Sequence, residues 1–288
     1  MRDYVLYHAH CPDGFGAAWA AWKRLGETAT YVPVRHGVPP PPLPDCARLF
    51  MVDFAYPAEQ LGQLRQSVTH ITVLDHHKSA QAALADIREQ PPRFAPDQTP
   101  PGLFALFDMD ESGATLAWQY FHPETDCPEL LRYIKDRDLW QHALPGSRAI
   151  NAAIRSYPYD FTVWADKLAA AGHLPQLLAD GEAILRKQAH DIEELLAAVM
   201  WMELGGYRIP VVNATGNTSD LGHRLCEMFP SAAFSASYRD TAEDRREWSL
   251  RSTGDFDVSA VARRYGGGGH RNAAGFQTAR PPLLVEAD

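Results

Sequence analysis

"HITVLDHHKSA" (residues 70–80) runs from an apolar strand-like segment straight into an acid, two imidazoles and an amine. A buried strand that ends in Asp75, His76, His77 and Lys78 delivers ligand-type side chains to one edge of a sheet. Two upstream segments repeat the arrangement. "DYVLYHAHCPDG" (3–14) is an apolar run that reaches His8, Cys11 and Asp13, and "ARLFMVDFA" (47–55) reaches Asp53. Between and after these runs lie stretches with helical spacing: "GFGAAWAAWKRLG" (14–26), "PAEQLGQLRQSV" (57–68), "SGATLAWQYF" (112–121) and "CPELLRYIKD" (127–136). Strands alternating with helices predict an α/β fold with a doubly wound, mainly parallel sheet.

Farther along, "LPQLLADGEAILRKQAHDIEELLAAVMWMEL" (174–204) reads as one long helix ending at a Gly pair. Shorter strand-like runs follow at 208–214, 232–239 and 247–253, and then a helix leading into "GGGGHRNAAGF" (266–276). The expected organisation is a catalytic domain over 1–180, a linker helix over 181–204 and a smaller C-terminal α/β domain over 205–288. Residues 36–45 and 90–102 are Pro-rich loops.

The 288-residue chain is 45% hydrophobic and 22% charged, as in ordinary globular proteins. No run of about 18 apolar residues suggests a membrane span, and the N-terminus lacks the apolar core of a secretory signal. Four scattered cysteines without a C-x-x-C pair suit reduced thiols and a cytoplasmic location. The net charge of −9 argues against long duplex nucleic acid, whose affinity comes from Lys and Arg on phosphates.

In open α/β sheets ligands bind at the carboxyl ends of the strands. Three strand ends there carry His8, Asp13, Asp53, His76 and His77, and "YIKDRDLW" (133–140) adds further acids. Oxygen and imidazole donors suit Mn²⁺, Mg²⁺, Fe²⁺ or Zn²⁺. The donors exceed what one ion needs, and a two-ion site uses an Asp as bridge. One or two ions are expected. His10 ranks below His8. The remaining histidines, His36 and His142 among them, default to structural or surface roles. In "GGGGHR", Gly267, Gly268 and Gly269 let backbone N–H groups approach an anion, with His270 and Arg271 as side-chain donors. "NAAGF" reads as the opening of a helix whose N-terminus favours anions.

"HAHCPDG", "VDFA", "LDHH", "YIKDRD" and "GGGGHRNAAGF", in this order, resemble the motifs of the DHH phosphoesterase family with its DHH-associated C-terminal domain. The resemblance spans His8 to Phe276. It implies a hydrolase, typically Mn²⁺-dependent, in which a metal-activated water cleaves a phosphate ester. It further implies metal ligands at His8, Asp13, Asp53 (bridging), His76 and Asp136, with Asp138 the alternative to Asp136. His77 is implied to face the phosphate, Asp75 to orient the imidazoles, and His270 to act on the substrate with them. Cys11 stands where the family has an Asp. It is either a soft ligand or a small buried residue outside the coordination sphere.

The expected substrate is a small nucleotide diester or short single-stranded oligonucleotide. The alternatives are phosphomonoesters or polyphosphate, or a non-catalytic phosphate-ligand sensor. A homodimer is compatible with the sequence.

Overall fold

The computed structural model describes residues 2–87, 90–91, 94–95, 100–169 and 172–281. The Pro-rich segment 90–102 therefore falls partly outside the described residues. The chain divides into two compact units, Met1–Leu185 and Arg186–Asp288.

The first unit is built on five strands: β1 (Arg2–His8), β2 (Thr30–Val34), β3 (Cys46–Val52), β4 (His70–Asp75) and β5 (Gly102–Phe107). All pairings are parallel and the order is β2-β1-β3-β4-β5. The middle strands are apolar on both sides because both faces are covered. In β3, Leu49 and Met51 enter one core with Tyr4, Leu6, Ile71 and Val73. Phe50 and Val52 enter the other with Val5 and Leu74. The period of two thus serves two cores.

Helices α1 (Pro12–Leu25), α4 (Gly113–Phe121), α5 (Glu129–Asp138) and α6 (Ser147–Ile154) pack into the second of these cores. Helices α2 (Ala58–Leu64) and α3 (Lys78–Ala83) supply Leu61 and Ala80 to the first. With helices on both faces, the sheet is doubly wound. The strand order reverses between β1 and β3, which makes their carboxyl ends the switch point where such folds bind ligands.

A single turn, α7 (Phe161–Val163), precedes α8 (Leu174–Leu196), and the unit boundary lies within α8. The helix expected to run to residue 204 stops at Leu196, and Met200–Leu204 is instead strand β6. Apolar residues at 199–202 fit either period. The Gly205–Gly206 turn, with φ of 60° and 86°, settles the matter by closing a hairpin onto β7 (Tyr207–Asn213).

The second unit adds α9 (Thr218–Met228), β8 (Ser235–Asp240), β9 (Arg245–Arg251), α10 (Val258–Arg263), β10 (Gly268–His270) and β11 (Ala273–Ala279). Its six-stranded sheet has the order β10-β11-β9-β8-β7-β6, with β7 and β8 parallel and the other pairs antiparallel. Trp248, Leu250 and Phe276 fill one core with α10, and Val212 joins Leu221 and Leu225 of α9 in another. The "NAAGF" segment is a strand, where sequence reading expects a helix. A Cβ on Gly267 would stand 2.1 Å from Gly275 O, so only Gly permits the close pairing that commits the segment to a hairpin.

Candidate metal centre

Four chain segments meet at the carboxyl edge of the first sheet. Asp53 follows β3 with φ of 53°, a left-handed conformation that Asp tolerates and that turns its carboxylate into the switch point. Its N–H is secured on Leu74 O at 2.9 Å. Asp13 sits in the first turn of α1, whose entry is set by Pro12 behind the cap residue Cys11. The Asp13 carboxylate accepts N–H bonds from Gly113 (2.6 Å) and Ala114 (3.0 Å), at the N-terminus of α4. Gly113 is needed there, because a Cβ would lie 2.3 Å from Asp53 Cβ.

His76 is the hub. Its Nε2 lies 3.1 Å from Asp53 Oδ1, 3.5 Å from Asp13 Oδ2 and 3.5 Å from Asp138 Oδ2. On the other side of Asp53, Oδ2 lies 3.6 Å from His8 Nδ1. His8, Cys11 and Asp53 form a second group whose ligand atoms lie within 4.8 Å of one another. Asp53 therefore offers one oxygen to each group. Asp75 is fully buried, and its Oδ1 accepts from His76 N (2.8 Å), His77 N (3.3 Å) and His77 Nδ1 (2.7 Å).

The electrostatics call for a cation. Burial, then the charges of Asp53 and Asp138, push the Asp13 carboxyl well above the usual carboxylate range. Burial likewise raises Asp138. Burial opposes ionisation of Asp53, but its bonds to His76 and His8 overcome that and hold it well below. Burial also works against a charge on His76, yet the bond to Asp53 and the charges of Asp53, Asp13 and Asp138 prevail and lift it to about 11. In the bare cluster a proton on His76 does a cation's work. Adjacent donors of an octahedral ion with bonds near 2.1 Å stand about 3.0 Å apart, and the spacings around His76 are 3.1–3.5 Å. The donor set fits a divalent metal.

Of the sequence candidates, His8, Cys11, Asp13, Asp53, Asp75, His76 and His77 converge. Asp136 does not. Its carboxylate accepts from Ala143 N (2.8 Å) and Leu144 N (3.4 Å), pinning the loop after α5, and Asp138 stands in the cluster instead. One helical turn carries both acids, so spacing alone does not separate them. His36, assigned by sequence to a structural or surface role, has its ring 5.5 Å from His8 and 6.4 Å from His77. In the second unit, Gly268, Gly269 and His270 form β10 and Arg271 occupies the turn. Arg271 donates to the Asp255 carboxylate at 2.7 Å.

A model of the DHHA1 domain matches residues 211–287. The "Uncharacterized protein R106" of Acanthamoeba polyphaga mimivirus is 30% identical over 95% of this chain and 67% of its own length. Solved structures that resemble the fold include RecJ of Thermus thermophilus in complex with Mn²⁺, with TM-score 0.49 and 17% identity over 97% of this chain and 49% of RecJ. The pGpG-specific phosphodiesterase PggH of Vibrio cholerae gives TM-score 0.42 and 11% identity over 96% of this chain and 93% of PggH. The C-terminal part of the chain is thus a DHHA1 domain.

Proposed function

We propose that this chain hydrolyses phosphodiester bonds of small nucleotides and short single-stranded oligonucleotides at a centre for two divalent ions. The observation that carries this reading is Asp53, with Oδ1 toward the His76 group and Oδ2 toward the His8 group. We assign Asp13, His76, Asp138 and Asp53 to one ion, and His8, Cys11 and Asp53 to the other.

Bound there, the ions supply Lewis acidity to the phosphoryl oxygens and a nucleophilic water at neutral pH. Oxygen and imidazole donors dominate, which suits Mn²⁺. Cys11 is the one soft donor and tilts its group toward Zn²⁺ or Fe²⁺. Asp75 orients His77 through Nδ1 at 2.7 Å, and the opposite ring nitrogen is the one we assign to a phosphoryl oxygen. In the second unit, His270 and the backbone of Gly267, Gly268 and Gly269 are assigned to an anionic group. Arg271 joins them only by exchanging its bond to Asp255. The four cysteines are free, which accords with a reducing, cytoplasmic setting.

The discriminating experiment offers the manganese-loaded protein dinucleotides, cyclic dinucleotides, a nucleoside 3′,5′-bisphosphate and polyphosphate side by side. The diesterase reading expects mononucleotides from dinucleotides at the highest kcat/KM. Preferential release of inorganic phosphate from the bisphosphate or polyphosphate would replace it with the monoester or polyphosphate reading. Binding without turnover of any compound would make the chain a sensor.

A further inference from the structure

The segment "RSYPYD" (155–160) joins α6 to α7 and is hydrogen-bonded at both ends. Ser156 N donates to Ala153 O at 2.9 Å and Tyr157 N to Ile154 O at 3.2 Å. Pro158 fixes its own φ, and Asp160 N donates to Pro158 O at 2.9 Å. The Asp160 carboxylate then caps α7 by accepting from Val163 N at 2.9 Å. Tyr159 is held out between these anchors, and its side chain is 38% exposed.

The ring belongs to an aromatic cluster that ends at the metal cluster. Trp22 and Phe161 stack at 5.5 Å and 13°, and Phe161 and Phe15 at 4.8 Å and 12°. Tyr159 meets Phe15 at 5.2 Å and Trp164 at 6.3 Å. Phe15 and Trp164 are buried, and Tyr159 is the most exposed ring of the group. Phe15 lies in the first turn of α1 just beyond Asp13, with its N–H on Cys11 O at 2.9 Å. Tyr159 feels the same neighbourhood. Burial, then the charge of Cys11, push its hydroxyl up to about 12 against the opposing charge of Arg155, so it keeps its proton. That hydroxyl has no hydrogen-bond partner among the described residues. The other exposed Tyr and Trp rings among them lie in the second unit and are engaged. Gly205 N donates to the Tyr265 hydroxyl at 3.0 Å, and the Arg208 guanidinium lies 5.5 Å from the Trp201 ring.

An open ring with a free hydroxyl, packed on the helix turn that carries Asp13, fits a flat ligand with polar edges. We propose that Tyr159 stacks on a nucleobase of the substrate, beside the phosphate held at the metal centre. Such a platform accepts any base, because every base has a π-face. Little order is lost on binding, because Tyr has only two side-chain torsions. The inference rests on the diesterase reading and deepens it. The substrate carries a base next to the cleaved phosphate, of whichever kind, and polyphosphate lacks the group that the ring binds.

The test is calorimetric binding of adenosine 5′-monophosphate and of ribose 5-phosphate, which lacks the base, to the manganese-loaded parent, Tyr159→Phe and Tyr159→Leu. The parent is expected to favour the nucleotide about 5–100-fold, as for stacking of a base on an aromatic ring. Tyr159→Phe is expected to keep that preference. Tyr159→Leu, which still covers Phe15, is expected to lose it, with ribose 5-phosphate affinity within about twofold of the parent and Mn²⁺ stoichiometry unchanged. On dinucleotides, kcat/KM of Tyr159→Leu is expected to fall by the same factor, chiefly through KM, whichever base is present. Equal affinity of the parent for both ligands, equal losses on both in Tyr159→Leu, a Tyr159→Phe variant as weak as Tyr159→Leu, or loss of Mn²⁺ would overturn the platform. If the parent cleaves no dinucleotide, the diesterase reading fails and the two binding measurements alone decide the platform.

Discussion

Asp136 and Asp138 occupy the same turn of α5 and do different work, which single substitutions separate. Asp138→Ala removes a carboxylate 3.5 Å from His76 Nε2 and is expected to weaken Mn²⁺ binding at least about tenfold with little change in melting temperature. Asp136→Ala leaves two loop N–H groups without their acceptor and is expected to destabilise the fold by about 1–3 kcal/mol with metal affinity largely kept. The reverse pattern would return the ligand role to Asp136. Cys11→Asp places a hard oxygen in the His8 group and is expected to raise Mn²⁺ affinity over Zn²⁺. Unchanged metal preference would put residue 11 outside the coordination sphere. The pH dependence follows from His76. Its metal-free pKa of about 11 means that it carries a proton at neutral pH, and an ion must displace that proton to use Nε2. Mn²⁺ affinity therefore rises with pH, by about tenfold per unit for each proton released. A titration series from pH 6 to 8 that came out flat would contradict the assignment of His76 as a ligand.

At the scale of elements, α4 matters through its N-terminus. Its first two N–H groups hold Asp13, and Gly113 lets it approach Asp53. Gly113→Ala is expected to cost about 1–3 kcal/mol by overpacking and to weaken metal binding as well, because Asp53 has to move. Calorimetry and metal titration on one preparation read both effects, and a stability loss with metal affinity intact would show that Asp53 is not positioned by this contact.

The elements also mark where sequence reading stops. β1, β3 and β4 are legible because both of their faces are buried, which leaves continuous apolar runs. β2 is not, because Pro33 demotes "TYVPV" to an unremarkable loop. Pro33 is tolerated there because β2 is an edge strand. Missing β2 hides the placement of His36 beside His8. β5 is obscured by the prolines at its start. β6 is absorbed into the pattern of α8 because "MWMEL" has no polar alternation to declare a strand.

For the whole molecule, the ordered motifs make most of the candidate centre legible, since each motif is tied to a strand end by local chemistry. The choice between two acids on one turn, and a histidine brought in by an edge strand, depend on three-dimensional packing that no local pattern encodes. The aspartates at the centre repel one another in the bare protein, so ions that bind only the folded state stabilise it by mass action. Manganese at about 100 times its Kd is expected to add about 2.7 kcal/mol per site to the first unit. Thermal unfolding with and without Mn²⁺ reads this as a raised transition for that unit. An unmoved transition would mean that the cluster holds no ion under those conditions.

The most direct test of the two-ion centre is a Mn²⁺ titration of metal-stripped protein, followed by dinucleotide cleavage, in the parent and in Asp53→Asn. Asn tolerates the left-handed backbone at this position and removes the charge offered to both groups. The parent is expected to bind two ions and to regain cleavage as they bind. Asp53→Asn is expected to stay folded, bind fewer ions and lose at least about 100-fold in turnover, more than the removal of an outer partner costs. Cleavage by the metal-stripped parent, or full metal content and turnover in Asp53→Asn, would contradict the account.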